Sequence, residues 1–274
     1  MSEPRLRVRD LSVTWPGALR PAVEGVSFDL EAGRVLALIG ASGSGKTSLA
    51  AAIPGLAQAD GARVLGRAQL DGRELTDLER EDLRRLRGAE IGFVFQDPSL
   101  ALNPVMRVGE QVAEVLWTHR GFDRSQARAG AVAAFRRVGL PDPERAVHAF
   151  AHQLSGGMRQ RVAIAMAVAC EPGLILADEP TTALDPPLAV QIQALLGALV
   201  RDSSASLLIA THDLGTVARL ADDVGVLAGG RLVEYGSAAN VLHHPQHEAT
   251  RRLLGDRPGG APLAGRPSGG GGRA

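Results

Sequence analysis

Four short, continuously apolar segments constrain this sequence more than any other feature. They read VLALI, IGFVF, LILA and LLIA, and they span residues 35–39, 91–95, 174–177 and 207–210. Runs of this length without polar alternation are typical of parallel strands that are buried on both faces of a sheet. The four runs therefore predict an α/β core built around a parallel sheet.

Polar residues follow each of these runs. A glycine-rich loop at 40–45 comes after the first run, Gln96 after the second, the pair Asp178 and Glu179 after the third, and Thr211-His212 after the fourth. The carboxyl ends of parallel strands meet at one edge of an open α/β sheet, and ligands bind at that edge. We therefore expect these polar residues to form one site.

The loop after the first run reads GASGSGKT and matches the pattern G-x-x-x-x-G-K-[ST]. It lies between a strand and an alanine-rich helical segment at 48–52, which is the context that the pattern requires. Its glycines let backbone N–H groups surround phosphates, and the helix N-terminus adds positive potential. A glycine-rich turn without a ligand is the alternative. The predicted phosphate-binding residues are Gly40, Ala41, Ser42, Gly43, Ser44, Gly45, Lys46, Thr47 and Ser48.

Lys46 is the single lysine among thirty basic residues, and the others are arginines. A compact ammonium on a flexible stem suits a position between the β- and γ-phosphates better than the planar guanidinium fork does. Thr47 and Asp178 are the candidate ligands of Mg²⁺, and Glu179 is the candidate base for an attacking water. An isolated Asp-Glu pair after a strand also occurs as a solvated turn or a helix N-cap.

Composition excludes several classes of protein. A chain of 274 residues accommodates one α/β core with a subdomain or tail. The formal net charge of zero argues against nucleic acid as a partner, although a local basic patch stays possible. One cysteine, Cys170, rules out an intramolecular disulfide or a multi-cysteine metal site. No apolar run approaches the roughly 20 residues that cross a bilayer, so we expect a soluble chain.

The remaining patterns place further elements. Residues 5–13, 23–30 and 67–70 are predicted strands, and Asp71-Gly72 is a predicted turn. Helical periodicity at 108–117 and 126–138 predicts a helical subdomain over 97–157. A helix is predicted at 215–222, followed by a hairpin whose turn is Gly229-Gly230. The Gly- and Pro-rich tail at 255–274 is predicted to be disordered, which leaves one domain over 1–254.

A further segment reads LSGGM and is followed by RQR. With the loop at 40–47 and the Asp-Glu pair, it resembles the signature sequence of the ABC-transporter ATPases. Its Ser and second Gly would open a helix, so an ordinary N-cap is the alternative. The resemblance implies that this segment closes over ATP held by a second subunit, giving a dimer with two shared sites for ATP and Mg²⁺. The segment consists of Leu154, Ser155, Gly156, Gly157 and Met158.

The resemblance covers about residues 5–254 and implies a P-loop NTPase fold of the ABC type. That fold has a parallel sheet with helices, an N-terminal antiparallel β subdomain and an inserted α-helical subdomain. Gln96 corresponds to the Q-loop glutamine that touches Mg²⁺ and water, and His212 to the switch histidine near the γ-phosphate. Asp185 corresponds to the D-loop between subunits. Trp15 corresponds to the aromatic residue that stacks on adenine, although a buried aromatic of the β subdomain is its alternative.

Several segments resemble the importer subfamily for dipeptides, oligopeptides and nickel. They include DPSLALNPVMRVGEQ after Gln96, THDLGTVARLADDVGVL around His212, and the ending HHPQHEATRRLL. The resemblance implies an ATP-hydrolysing subunit on the cytoplasmic face of a bacterial inner membrane, with two permeases as partners. It also implies a second ATPase, which is a paralogue or a second copy, and indirectly an extracytoplasmic binding protein. The short ending favours nickel slightly, but ATPase residues do not touch the cargo.

Two other functions stay open at this point. One is a regulatory ATPase of the same fold that needs no permease. The other is a mainly structural partner whose ATP site is occupied but silent. The complete catalytic set, with Glu179 present, argues against the second of these.

Overall fold

The structure is a computed structural model that describes residues 3–255. The predicted tail lies outside the described residues from position 256 onward. The strands are β1 (Leu6–Thr14), β2 (Val23–Leu30), β3 (Val35–Ile39), β4 (Arg63–Leu70), β5 (Arg73–Glu74), β6 (Ile91–Val94), β7 (Leu174–Asp178), β8 (Ser206–Ala210), β9 (Asp223–Ala228) and β10 (Arg231–Ser237). The α-helices are α1 (Lys46–Ala52), α2 (Leu56–Ala59), α3 (Arg80–Ala89), α4 (Pro98–Ala101), α5 (Val108–Arg120), α6 (Arg124–Arg137), α7 (Pro143–Ala146), α8 (Gly156–Val168), α9 (Pro186–Ser203), α10 (Leu214–Leu220), α11 (Ala238–His243) and α12 (Glu248–Leu254).

The larger sheet has the strand order β10-β9-β3-β8-β7-β6. The four apolar runs form the neighbouring strands β3, β8, β7 and β6, which pair in parallel. Every residue of β3, β7 and β8 is buried, as expected for strands covered on both faces. The prediction of an α/β fold with a parallel sheet is therefore confirmed.

The predicted hairpin around Gly229-Gly230 has a second role in this sheet. Its first strand, β9, pairs in parallel with β3, while β10 pairs with β9 in the antiparallel direction and forms the edge. The hairpin thus extends the parallel sheet by a fifth parallel strand, which its local turn pattern alone did not indicate.

The smaller sheet is antiparallel and has the order β2-β1-β4-β5. Its strand β4 begins at Arg63, four residues earlier than the sequence analysis predicted. A register shift opposite Arg9 and Ser12 interrupts the pairing, and Gly66 lies there with a φ of +94°. A Cβ on Gly66 would sit 2.3 Å from the Asp10 carbonyl oxygen, so this irregularity requires glycine. The bulge breaks the alternation that would have revealed the first half of the strand.

Two hydrophobic cores hold the layers together. One lies between the two sheets and includes Leu49 and Ile53 of the helical segment after the glycine-rich loop. The other lies on the opposite face of the larger sheet and includes Phe135 of α6, which is fully buried. Replacing a buried phenylalanine with alanine costs on the order of 3–5 kcal/mol in the free energy of unfolding, so Phe135 contributes several kcal/mol to stability.

The segment between strands β6 and β7 of the larger sheet is helical. Helix α5 continues past the predicted end at Trp117 to Arg120, where Gly121 in the left-handed conformation ends it. Helix α6 begins at Arg124 behind a capping box made by Asp123 and Gln126. Within residues 3–255, no helix combines the length and the apolar character that a membrane span needs.

Candidate functional site

The glycine-rich loop joins the end of β3 to the start of α1. Gly45 precedes the helix with a φ of +105°, and a Cβ there would lie 2.4 Å from the Ala22 carbonyl oxygen. Gly43 also has a positive φ, of +77°. Both conformations are ones that side chains disfavour, so the loop needs glycine to turn its backbone toward the cavity. Because α1 starts at Lys46, the free N–H groups of its first turn lie beside that loop.

Lys46 lies across this loop and is almost fully buried, with 5% of the residue exposed. Its Nζ donates to the carbonyl oxygens of Gly40, at 2.9 Å, and Ala41, at 3.2 Å. The Glu179 Oε1 atom is 3.8 Å away. The buried Ser44 hydroxyl has no hydrogen-bond partner among the described residues. A buried ammonium and an unpaired hydroxyl in one loop suit an anion with several acceptor oxygens, so the loop fits a nucleotide phosphate.

Asp178 ends β7 directly opposite the first turn of α1. The Thr47 hydroxyl donates to Asp178 Oδ1 at 3.1 Å, and Asp178 is 4% exposed. Burial raises the pKa of Asp178, and the neighbouring Glu179 charge adds to this, against the opposing effects of Thr47 and Lys46. A desolvated carboxylate beside a hydroxyl is a donor set that suits Mg²⁺, which often takes one or two protein oxygens together with phosphate and water.

Glu179 lies at the centre of the remaining polar groups. Its backbone has a φ of +44°, and its N–H donates to the Ala210 carbonyl oxygen at 2.8 Å, which ties it to β8. Its Oε2 atom lies 2.6 Å from His212 Nδ1 and accepts a hydrogen bond of 2.6 Å from the Thr182 hydroxyl. A non-glycine residue in the left-handed region at a strand end is strained, and such strain concentrates at functional sites.

One cavity of about 600 Å³ unites most of the predicted residues. Besides the loop and α1, it is lined by Gln96, Glu179, His212 and Trp15. The Trp15 indole N–H donates to the Ser48 hydroxyl at 2.9 Å, and the ring also packs against the core between the sheets. The structure thus places Trp15, half-buried, both at the cavity and against the core, and its stacking on adenine stays a prediction.

Thr182 also lines this cavity, and sequence reasoning missed it. The feature of the sequence that could have identified it is a hydroxyl residue three positions after Glu179. The two residues lie on one turn, in which the Thr182 N–H donates to the Glu179 carbonyl oxygen at 3.2 Å. Side-chain hydroxyls at such positions commonly bond back to the residue that begins the turn.

The predicted signature residues lie elsewhere. None of residues 154–158, nor Asp185, is among the described residues that line the cavity. Ser155 caps α8 by accepting from the Met158 N–H at 3.3 Å, and Asp185 caps α9 by accepting from the Leu188 N–H at 3.0 Å. A Cβ on Gly157 would lie 2.2 Å from a Leu188 methyl group, so the absence of a side chain here lets the start of α9 pack closely against α8. The N-cap interpretation of LSGGM is correct as local structure and leaves its role toward a second subunit a prediction.

Comparison with known proteins identifies the family to which the chain belongs. A family model described as ABC transporter matches residues 23–182. The oligopeptide transport ATP-binding protein OppD of Haemophilus influenzae is 43% identical over 253 residues, which cover 92% of this chain and 78% of that protein. The dipeptide transport ATP-binding protein DppD of Bacillus subtilis is 42% identical over 256 residues, covering 92% and 76% of the two chains.

Solved structures agree with this result. The ATP-binding cassette MJ0796, in a dimeric post-hydrolysis state bound to ADP and Pi, superposes with a TM-score of 0.75 and 30% identity, covering 85% of this chain and 98% of that one. CbiO1 from Clostridium perfringens, part of the ABC transporter complex cbiONQ, has a TM-score of 0.75 and 29% identity, covering 89% and 92% of the two chains. The chain belongs to the ABC transporter family and is one of its ATPases, as the sequence predicted.

Proposed function

We propose that this chain is the ATP-hydrolysing subunit of a bacterial importer for peptides. The observation that carries the proposal is the identity of 42–43% over more than nine-tenths of the chain with two proteins named for oligopeptide and dipeptide transport. The subunit would lie on the cytoplasmic face of the inner membrane and act with two permeases and, indirectly, an extracytoplasmic binding protein. Nickel is the other cargo of the subfamily that the sequence resembles, but the two relatives named above support peptides.

The cavity supports a specific assignment of nucleotide contacts. Residues 40–48 would bind the ATP phosphates through backbone N–H groups, with Lys46 on the β- and γ-phosphates. Thr47, Asp178 and Gln96 would hold Mg²⁺, which supplies charge neutralisation at the phosphate oxygens. Trp15 would stack on adenine, because its ring lies at the cavity with its N–H already satisfied by Ser48.

Glu179 would act as the general base. Its Oε1 atom faces the phosphate loop through Lys46, so this oxygen would accept the proton of a water molecule as that water attacks the γ-phosphorus. The bond between the γ-phosphorus and the bridging oxygen then breaks, giving ADP and inorganic phosphate. His212 would position the water and contact the γ-phosphate, because it already lies within 2.6 Å of the Glu179 carboxylate.

The signature residues would complete the site of a second ATPase subunit. In this chain they and Asp185 lie at the starts of helices and are not among the described residues that line the cavity, which supports a role toward another molecule's nucleotide. The dimeric cassette MJ0796 is a structural precedent for such a pair. The second subunit would be a paralogue or another copy of this chain.

The proposal is tested with tagged protein carrying Glu179→Gln, purified from gently solubilised native membranes with ATP and Mg²⁺ present. Recovery of two permeases, a second ATPase and a binding protein that takes up peptides is the expected result. A pull-down without a permease would contradict the importer and favour the regulatory ATPase. Nickel bound by the recovered binding protein would contradict the peptide cargo.

Hydrolysis itself is tested with the purified subunit and its partner ATPase. Glu179→Gln should abolish ATP turnover, whereas Glu114→Gln, on the exposed face of α5, should leave it unchanged. Full turnover by Glu179→Gln would refute the assignment of the base.

A further inference from the structure

We propose that Thr182 is a positioning residue for hydrolysis: it holds one carboxylate oxygen of Glu179 so that the other oxygen faces the phosphate loop. This inference rests on the proposed role of Glu179 as the base. It adds a residue that the sequence comparison with the family's catalytic set did not single out.

The two oxygens of Glu179 have different surroundings. Oε2 accepts the hydrogen bond from the Thr182 hydroxyl and lies 2.6 Å from His212 Nδ1. Oε1 lies 3.8 Å from Lys46 Nζ, which is beyond hydrogen-bond distance. Oε2 is therefore the held oxygen, and Oε1 is the one placed to take a proton on the side of the phosphate loop.

The contact from Thr182 is of the kind that fixes a side chain. An O–H···O distance of 2.6 Å is typical of a charge-assisted bond to a carboxylate. The backbone of Glu179 is already anchored to β8 through the Ala210 carbonyl oxygen, so the remaining freedom lies in its side chain. Threonine is β-branched and has few χ1 rotamers, which makes its hydroxyl a well-defined anchor.

His212 is less suited to this restraint than Thr182 is. It comes from the end of another strand, and 58% of its side chain is exposed. In the proposed mechanism it also contacts the γ-phosphate and the water, so it is not dedicated to holding Glu179. Thr182 lies on the same turn as Glu179, and the backbone hydrogen bond between them keeps the hydroxyl near the carboxylate.

Loss of the hydroxyl should affect the chemical step and spare nucleotide binding. An unheld carboxylate would spend less time in the productive orientation, which lowers kcat without removing any phosphate contact. Because Thr182 is exposed, water would replace part of the lost bond, and we expect a decrease of about tenfold rather than complete inactivation.

The test compares Thr182→Val and Thr182→Ala, which lack the hydroxyl, with Thr182→Ser, which keeps it. ATP turnover is measured with the full chain and its partner ATPase, and binding of a fluorescent ATP analogue is measured separately. We expect kcat to fall about tenfold in both variants without the hydroxyl, with KM within about twofold of wild type. Thr182→Ser should recover to within about twofold.

Three results would overturn the inference: a wild-type kcat in Thr182→Val or Thr182→Ala, a loss in Thr182→Ser equal to theirs, or a loss that lies entirely in KM. Melting temperatures of all variants identify a folding defect, and the alanine variant keeps the test valid if valine does not fit the turn. Glu179→Gln separates the two proposals. If it is inactive while Thr182→Val is fully active, only the role of Thr182 fails; if it is active, the proposed base fails.

Discussion

Two polar clusters follow the buried strands β7 and β8, and they are built in opposite ways. The first comprises Lys46, Asp178, Glu179 and His212 at the cavity. The second joins α9 to α10 through Gln193, which is 1% exposed. Its Nε2 donates to the Thr216 hydroxyl at 2.6 Å and to Asp213 Oδ2 at 3.2 Å, and its Oε1 accepts from Arg219 Nε at 2.8 Å. Gln193 is therefore satisfied within the chain.

The carboxylates of the two clusters show the difference directly. Burial favours a raised pKa for both Asp178 and Asp213. For Asp213, hydrogen bonds from the Thr216 hydroxyl and from the N–H groups of Gly215 and Thr216, with the Arg219 charge, outweigh burial and lower its pKa. For Asp178, burial together with the neighbouring Glu179 charge outweighs the Thr47 hydrogen bond and the Lys46 charge, so its pKa is raised. One cluster is complete by itself, whereas the other leaves a desolvated carboxylate and an unpaired hydroxyl that fit a cation and an anion.

The strongest way to break the incomplete cluster is to replace Lys46. Lys46→Ala removes the ammonium that would stabilise charge on the transferred phosphate, so turnover should fall about 10²- to 10³-fold. Lys46→Arg keeps the charge but places a bulkier planar group at a buried position, and we expect it to fail as well. Steady-state ATP hydrolysis measures both. Turnover of Lys46→Ala within about tenfold of wild type would contradict the assignment.

Gln193→Leu breaks the complete cluster. It removes the amide partner of the buried Thr216 hydroxyl, the half-buried Asp213 and the exposed Arg219, and we expect a loss of about 1–3 kcal/mol in the free energy of unfolding. Urea denaturation measures this loss. Gln191→Leu is the matched control, because Gln191 is exposed on the same helix and bonds to Arg161. Its loss should stay below about 1 kcal/mol, and equal losses in the two variants would refute the distinction.

The comparison is sharpened by making the same change in both clusters. Asp178→Asn removes a desolvated charge next to Glu179, so the melting temperature of the nucleotide-free protein should rise, by about 2–4 °C for each kcal/mol relieved. Asp213→Asn removes a charge that its donors stabilise, so the melting temperature should fall. Differential scanning calorimetry without nucleotide gives both signs. Shifts in the same direction would show that the two carboxylates do not differ as described.

The sequence predicts the site better than it predicts the complete cluster. The apolar runs and the GASGSGKT loop place Lys46, Asp178 and His212 at one sheet edge, because buried strands and glycine loops have local patterns. Gln193 has no such pattern: its partners Asp213, Thr216 and Arg219 lie 20–26 residues away, and an amide on a helix looks like any exposed residue until the packing is known.

One strand boundary and one strand pairing were not predicted, because they too depend on residues that are distant in the sequence. The predicted strand starts too late, at residue 67 instead of Arg63, because the bulge at Gly66 depends on a partner strand far away in the sequence. The parallel pairing of β9 with β3 was missed because a hairpin signal says nothing about the neighbour on its other side. The division of residues 1–254 into a core and a helical subdomain over 97–157 stays a prediction.

The smallest expected effect concerns a third carboxylate, which bonds to the ending that resembles the importer subfamily. Glu234 of β10 accepts hydrogen bonds from the N–H groups of Gln246 and His247, each at 2.9 Å, and from the buried Thr250 hydroxyl. Burial raises its pKa, but these bonds, led by that of Thr250, outweigh burial and lower it. Like Asp213, Glu234 is satisfied within the chain, and it fixes α12 against β10.

Because the folded-state pKa of Glu234 is depressed, its contribution is present above the ordinary value of 4.5 and is lost as the pH falls through the folded-state pKa. Glu234→Gln should therefore cost about 0.5–1 kcal/mol at pH 7, reduced by solvent screening, and the difference from wild type should shrink below pH 4.5. Urea denaturation at pH 7 and at a pH below 4.5 measures this difference in the free energy of unfolding. Glu248→Gln, which removes only an exposed ion pair with Arg252, is the control. A cost for Glu234→Gln that is equal at both pH values would show that its charge does not stabilise α12 and would separate it from Asp213.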